Sequence, residues 1–85
     1  MLRKIQTTAT ASISELETAV REARDVRARV DAINRLAQAL GNTDPRRALA
    51  LSGEALRIAA SVGYEEGIAW SHRRRAYILN LRENI

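Results

Sequence analysis

The residues best equipped for chemistry cluster late in the chain. Ser71-His72-Arg73-Arg74-Arg75-Ala76-Tyr77 follows directly on Trp70. Arg73, Arg74 and Arg75 beside two aromatics invite a nucleic-acid reading, with guanidinium groups on phosphates and rings stacked on bases. On a helix, however, successive residues turn by about 100°, so at most two of the three arginines share a face. The simpler reading is a basic turn facing solvent or a partner. His72 is the single histidine, and no second catalytic group has a readable place beside it; it reads as a packed or hydrogen-bonded side chain. Glu65-Glu66 reads as a helix-start pair, because an acid–base dyad needs a pocket. Cysteine is absent, which excludes a disulfide framework, a thiolate nucleophile and a cysteine metal site. The remaining carboxylates are scattered. Neither an enzyme nor a bound metal or cofactor is expected.

Charge points the same way. The 85 residues carry a net +4, and thirteen of the fourteen basic residues are arginine. Residues 1–11 hold +2, 12–41 balance, 42–66 hold −1 and 67–85 hold +3. An excess split between two ends weakens the case for a continuous nucleic-acid-binding stripe. The start, MLRKIQTTATASIS, has a basic pair but no apolar core, so residues 1–11 read as a loose leader rather than a secretory signal. No apolar run approaches the roughly 20 residues of a membrane span, and the acids of AVREARDVRARV balance its arginines, against a basic membrane-surface helix. A cytoplasmic location with no membrane partner is expected.

The elements that hold these residues are helical throughout. Ser12-Ile13-Ser14-Glu15 fits a capping box, and Ile13, Leu16, Val20 and Ala23 follow at helical spacing, predicting a helix over about 13–24. Val26, Val30, Ile33, Ala37 and Leu40 predict a second over about 26–40, ended by Gly41-Asn42 in a left-handed conformation. No Gly or Pro interrupts 13–40, so one long helix is the alternative. Glu17 to Arg21 and Asp31 to Arg35 have the favourable order for ion pairs along a helix. Asp44-Pro45 is an N-cap followed by a proline at the first helical position, predicting a helix from about 45 to 62 that stops at Gly63. Its apolar residues go most of the way round, so it must sit between neighbours. A fourth helix spans about 65–82, with Gly67 leaving room for close packing. One face carries Ile68, His72, Ala76 and Leu79, and another carries Trp70, Tyr77, Leu81 and, nearby, Ile78. With no strand pattern, the expectation for residues 12–85 is one all-α domain of four helices, each antiparallel to the last.

LAQALGNTDPRRALALSGEALRIAASVGYEEGIAW resembles a tetratricopeptide repeat, a helix–turn–helix unit of about 34 residues. Ile33, Leu36-Ala37 and Leu40 fit its first helix, and Ala48-Leu49 and Ala55-Leu56 its second. The turn is one residue short and the second helix is longer. That form is similar to the extended repeats found beside bacterial histidine kinases, nucleotide cyclases and phosphatases. One full repeat, about 26–63, and a half-repeat, about 64–82, are implied, making an α-solenoid fragment. Ala76 falls in the place of Ala37, but His72 and Arg75 stand where Ile33 and Leu36 stood, so the last helix is either rotated or an atypical terminal unit.

The resemblance implies a non-enzymatic protein–protein interaction module, a docking or sensory piece of a larger signalling protein. Such repeats bind partners on a concave face lined by each first helix. Carried over residue by residue, Asp31, Asn34 and Gln38 line it from the first unit, and Trp70, Arg73, Tyr77 and Asn80 from the second. This offers an aromatic, a cation and amides to an extended peptide. The competing reading of Trp70 and Tyr77 is burial against another copy or another helix, and self-association is expected, with Trp70, Tyr77, Ile78 and Leu81 on the open last helix as the edge of a homo-oligomer. The competing function is a small basic nucleic-acid-binding protein using Arg73–Arg75.

Overall fold

Four helices form: α1 Ile13–Glu22, α2 Val26–Leu40, α3 Pro45–Val62 and α4 Glu65–Glu83. The computed structural model describes the backbone of residues 12–83 and the side chains of 12–80, so the expected leader lies outside the described residues. Among those described there is no strand, and the fold is all-α. Each start has a local cause. The Ser12 hydroxyl accepts from the Glu15 N–H at 3.0 Å while the Glu15 carboxylate accepts from the Ser12 N–H at 2.9 Å. Asp25 caps α2 by accepting from the Ala28 N–H, and Asp44 caps α3 by accepting from the Arg47 N–H ahead of Pro45. The open question over residues 13–40 resolves into two helices, because Ala23 and Asp25 adopt extended backbone between them.

The two glycine stops differ. Gly63 takes φ +69°, the left-handed conformation that glycine tolerates best. Gly41, expected to do the same, stays right-handed at φ −54°, and the turn into α3 is closed by the Asp44 N–H donating to the Leu40 carbonyl at 2.7 Å.

α2 is the centre of the packing and touches all three other helices. It buries Val30, Ala32, Ile33, Leu36, Ala37 and Leu40. α3 packs against both α2 and α4, as its spread of apolar residues requires. Its deepest stripe is Ala48, Ser52, Ala55 and Ala59, all fully buried. These small side chains bring the α3 backbone close to α2. Val30, Ile33, Ala55, Ala59 and Tyr64 form one end of the core, and Leu36, Ala37, Leu40, Ala48 and Ile78 the other. α1 closes the second end with Ile13, Leu16 and Val20. The short-range ion pairs expected on α1 and α2 do not form. Glu17 instead pairs with Arg47 of α3 at 2.7 Å while Arg21 donates to Thr18, and Asp31 accepts from the Tyr64 hydroxyl.

Helix α4 is rotated from its expected setting. It lies beside α2 in a parallel register that brings together Val30 with Gly67, Asn34 with Ser71 and Gly41 with Ile78, each pair 37 residues apart. Its buried side is therefore Gly67, Ser71 and Ile78. Of the face Ile68, His72, Ala76 and Leu79, whose apolar members were expected to cover α3, Ile68 packs half-buried against the core, while His72, Ala76 and Leu79 are exposed. The shift is one residue along the chain, about 100° around the helix. Two polar contacts fix it. Asn34, fully buried, donates from Nδ2 to the Ser71 hydroxyl at 3.0 Å. Arg75 lies across α3, where Nη1 donates to the Leu49 carbonyl at 2.9 Å and passes over Gly53. A buried amide with a hydroxyl partner specifies one rotation, since any other leaves both unsatisfied.

Candidate interaction face

The rotation of α4 assembles a feature from three parts of the sequence. The chain has three aromatic residues, two tyrosines and one tryptophan, and each has an arginine over its ring. Arg27 stands 5.1 Å from the centroid of Tyr64, Arg35 5.8 Å from Trp70, and Arg74 5.5 Å from Tyr77. Two of these stacks bridge α2 to the start or body of α4, and the third lies within α4. The Tyr64 ring is part of the core, packed with Ala55 and Ala59 of α3, while Trp70 is half-buried and Tyr77 exposed. A guanidinium over an aromatic face is held by the ring quadrupole, worth about 0.5–1 kcal/mol when exposed. It keeps its edge N–H groups free to donate.

Around the stacks lie most of the residues picked out from the sequence. Gln38, Arg73 and Asn80 are exposed, Tyr77 is 49% exposed, and Trp70 and Asp31 are half-buried. Asn34 is the exception on α2: it is fully buried against Ser71 and cannot line the face. Arg35, one turn after Asp31, takes its place. The spacing of Arg35 from Asp31, which suggests an ion pair along the helix, equally puts Arg35 on the stripe of Asp31 and Gln38. Arg27 and Tyr64 were also missed, since pairing a helix-start residue with one 37 positions on needs the register of α2 and α4.

Of the expected oligomer edge, one residue is displaced. Ile78 is fully buried in the chain's own core, because the rotation turns it toward Leu40 and Gly41. Leu81 lies outside the described side chains. Trp70 and Tyr77 each sit under an arginine, Trp70 half-buried and Tyr77 exposed. Arg73, Arg74 and Arg75 diverge: the first is exposed, the second covers Tyr77 and the third is pinned to α3.

At the α3–α4 turn, Tyr64 is 8% exposed and its hydroxyl donates to Asp31 Oδ1 at 2.8 Å. That hydrogen bond to a carboxylate, with burial and the negative charge nearby, raises the Tyr64 pKa above 10.0. A raised folded-state value means the contribution is complete below the unfolded value and is lost as pH climbs through the folded one. The stability gap between the native chain and Tyr64→Phe, measured by urea unfolding, is therefore expected to hold constant up to about pH 9 and to shrink above about pH 10.

On the opposite side, α1 and α3 flank a groove of about 370 Å³ lined by Glu17, Val20, Arg21, Leu36, Arg47 and Leu51. The Glu17–Arg47 pair spans it. Among the described residues no group of three or more metal-ligating side chains occurs, and no helix is long and apolar enough to cross a membrane. No protein-family model, curated protein or solved structure matches the chain.

Proposed function

We propose that this chain is a protein–protein interaction module of the tetratricopeptide type that offers the open α2–α4 face to a peptide segment of its partner. The observation that carries this reading is the row of three arginine–aromatic stacks. Core packing accounts for the Tyr64 ring but not for the other two: Trp70 and Tyr77 belong to neither buried cluster, and Arg27 and Arg35 stay exposed. Aromatics and arginine are the side chains that dominate binding surfaces. The parallel setting of α2 and α4 with α3 packed on both supports a repeat, in which consecutive first helices lie side by side. On the same reading the chain acts without catalysis, as a cytoplasmic docking or sensory piece of a bacterial signalling protein. The divergence of Arg73, Arg74 and Arg75 favours a peptide over nucleic acid.

The test is selection of peptides from an unbiased display library on the intact chain, followed by Trp70→Ala. The expected outcome is that peptides are selected and that the variant weakens them at least tenfold, a hot-spot loss of about 1.4 kcal/mol or more. The thermal midpoint is expected to stay within a few degrees, since Trp70 belongs to neither buried cluster. Failure to select any peptide, or unchanged affinity in Trp70→Ala, contradicts the proposal.

A further inference from the structure

The three stacks differ in what surrounds them. Arg27 stands among acids: Asp31 holds the Tyr64 hydroxyl, and Glu65 and Glu66 line with Arg27 and Tyr64 a cleft of about 320 Å³. Neither Arg35 nor Arg74 forms an ion pair with a described carboxylate. The ion pair found among the described residues joins Arg47 to Glu17 on the opposite side, and no described group accepts a hydrogen bond from Arg35 or Arg74. Arg74 Nε is screened from solvent without an acceptor. Both guanidinium groups are thus positioned by a ring and left with unused donors. A carboxylate is the group that such a fork binds best, through two parallel N–H···O bonds.

The spacing of the two rings selects among acidic ligands. Trp70 and Tyr77, the rings that hold them, are seven residues apart on α4, two turns or about 10.5 Å along the axis. In a polyproline-type extended segment, side chains three residues apart point the same way about 9.3 Å apart. Neighbouring residues are only about 3.3 Å apart along an extended chain, and alternate residues about 6.6 Å. Gln38 and Asn80, both exposed on the same face, supply amides to the backbone between. Asp31 lies one turn before Arg35 and repels any further carboxylate on that side. The same acidic end, with Glu65 and Glu66, disfavours a polyanion of evenly repeated charge such as nucleic acid, whose phosphates recur about every 3.4 Å per strand.

We propose that Arg35 and Arg74 take two carboxylates set three residues apart on an extended, acidic segment of a protein partner. This rests on the reading of the α2–α4 face as a peptide-binding surface and names what that surface selects. The test titrates the intact chain with end-capped 12-residue peptides of an Ala/Ser/Pro background, following the emission of Trp70, the one tryptophan. One peptide carries Glu at positions 5 and 8, a second Glu at 5 and 6, a third Gln at 5 and 8. The first is expected to bind about tenfold tighter than either of the others. Arg35→Gln and Arg74→Gln each lose about tenfold for it, a usual cost of removing a charged hydrogen-bond donor. Arg47→Gln, on the far side, changes nothing, and circular dichroism confirms that all three variants fold.

Equal affinity for the Glu and Gln peptides, or for the two Glu spacings, overturns the proposal. So does tighter binding of a 12-residue oligothymidylate than of the first peptide. If none of these peptides binds while display-selected neutral peptides do, acid selection is overturned and the interaction-module reading stands. If neither kind binds, both fall.

Discussion

Replacing Ile78 by alanine is expected to destabilise the chain by about 3 kcal/mol, within the range for truncating a buried isoleucine. Ile78 has no exposed surface and packs with Leu36, Ala37, Leu40 and Ala48. Its Cγ1 also stands 3.9 Å from where a Cβ at Gly41 would be. The measurement is a chemical-denaturation midpoint, with Leu79→Ala as the comparison. Leu79 is one residue on, of similar size, and 44% exposed; its truncation is expected to cost under about 1 kcal/mol. The pair reports the rotation of α4 directly. In the setting expected from the repeat pattern, Leu79 packs on the core and Ile78 sits at an edge, so the two costs exchange. In a small domain, whose total stability is only about 0.05–0.15 kcal/mol per residue, a loss of 3 kcal/mol takes a large share of the whole.

The second large effect is at Gly67. Helix propensity alone makes Gly67→Ala stabilising by about 1 kcal/mol. Packing reverses the sign. A Cβ here would stand 2.5 Å and 2.8 Å from two ring carbons of Tyr64 and 2.9 Å from Val30 Cγ1. The Tyr64 ring cannot swing aside freely, because its hydroxyl is held by Asp31 and its face is covered by Arg27. We expect a net loss of about 2 kcal/mol, typical of an overpacked core. Gly53→Ala is the control. Its Cβ would meet only Arg75, with Nη1 at 2.8 Å, the tip of a long side chain that can shift with no backbone movement, at the cost of lengthening its bond to the Leu49 carbonyl. That variant is expected to change stability by less than about 1 kcal/mol. A clear loss at Gly67 beside a small change at Gly53, read by thermal and urea unfolding, identifies the close approach of α2 and α4 at Gly67.

Local signals in the sequence were faithful guides to the helices. The Ser12–Glu15 box, Asp44-Pro45 and Gly63 act where their types place them, because a cap is decided by neighbours along the chain. The sandwiched position of α3 was also legible, since apolar residues on several sides leave few arrangements open. The setting of α4 was not. Its apolar residues spread over two faces, so hydrophobic spacing alone did not choose between them. The choice is made by polar contacts from distant residues: Asn34 with Ser71, and Arg75 with the Leu49 carbonyl. An asparagine on the inner side of α2 reads from sequence as a groove residue until its partner on α4 is known. The same one-residue rotation decides the candidate site. It moves Ile78 from edge to core and leaves Trp70, Arg73 and Tyr77 on the open face. It also sets Trp70 beside Arg35 and Tyr64 beside Arg27, pairings that require knowing which turn of α2 lies next to which turn of α4.

The arginine–aromatic face is the centre of this account, and mapping a bound peptide onto the chain tests it most directly. In a nitrogen–proton correlation spectrum of the intact chain, titrated with a display-selected peptide, the largest shifts are expected at Asp31, Arg35, Gln38, Trp70, Arg73, Arg74 and Tyr77. The Trp70 indole signal should be among them. Shifts gathered instead on Glu17, Arg21, Arg47 and Leu51, the residues of the groove between α1 and α3, would contradict it.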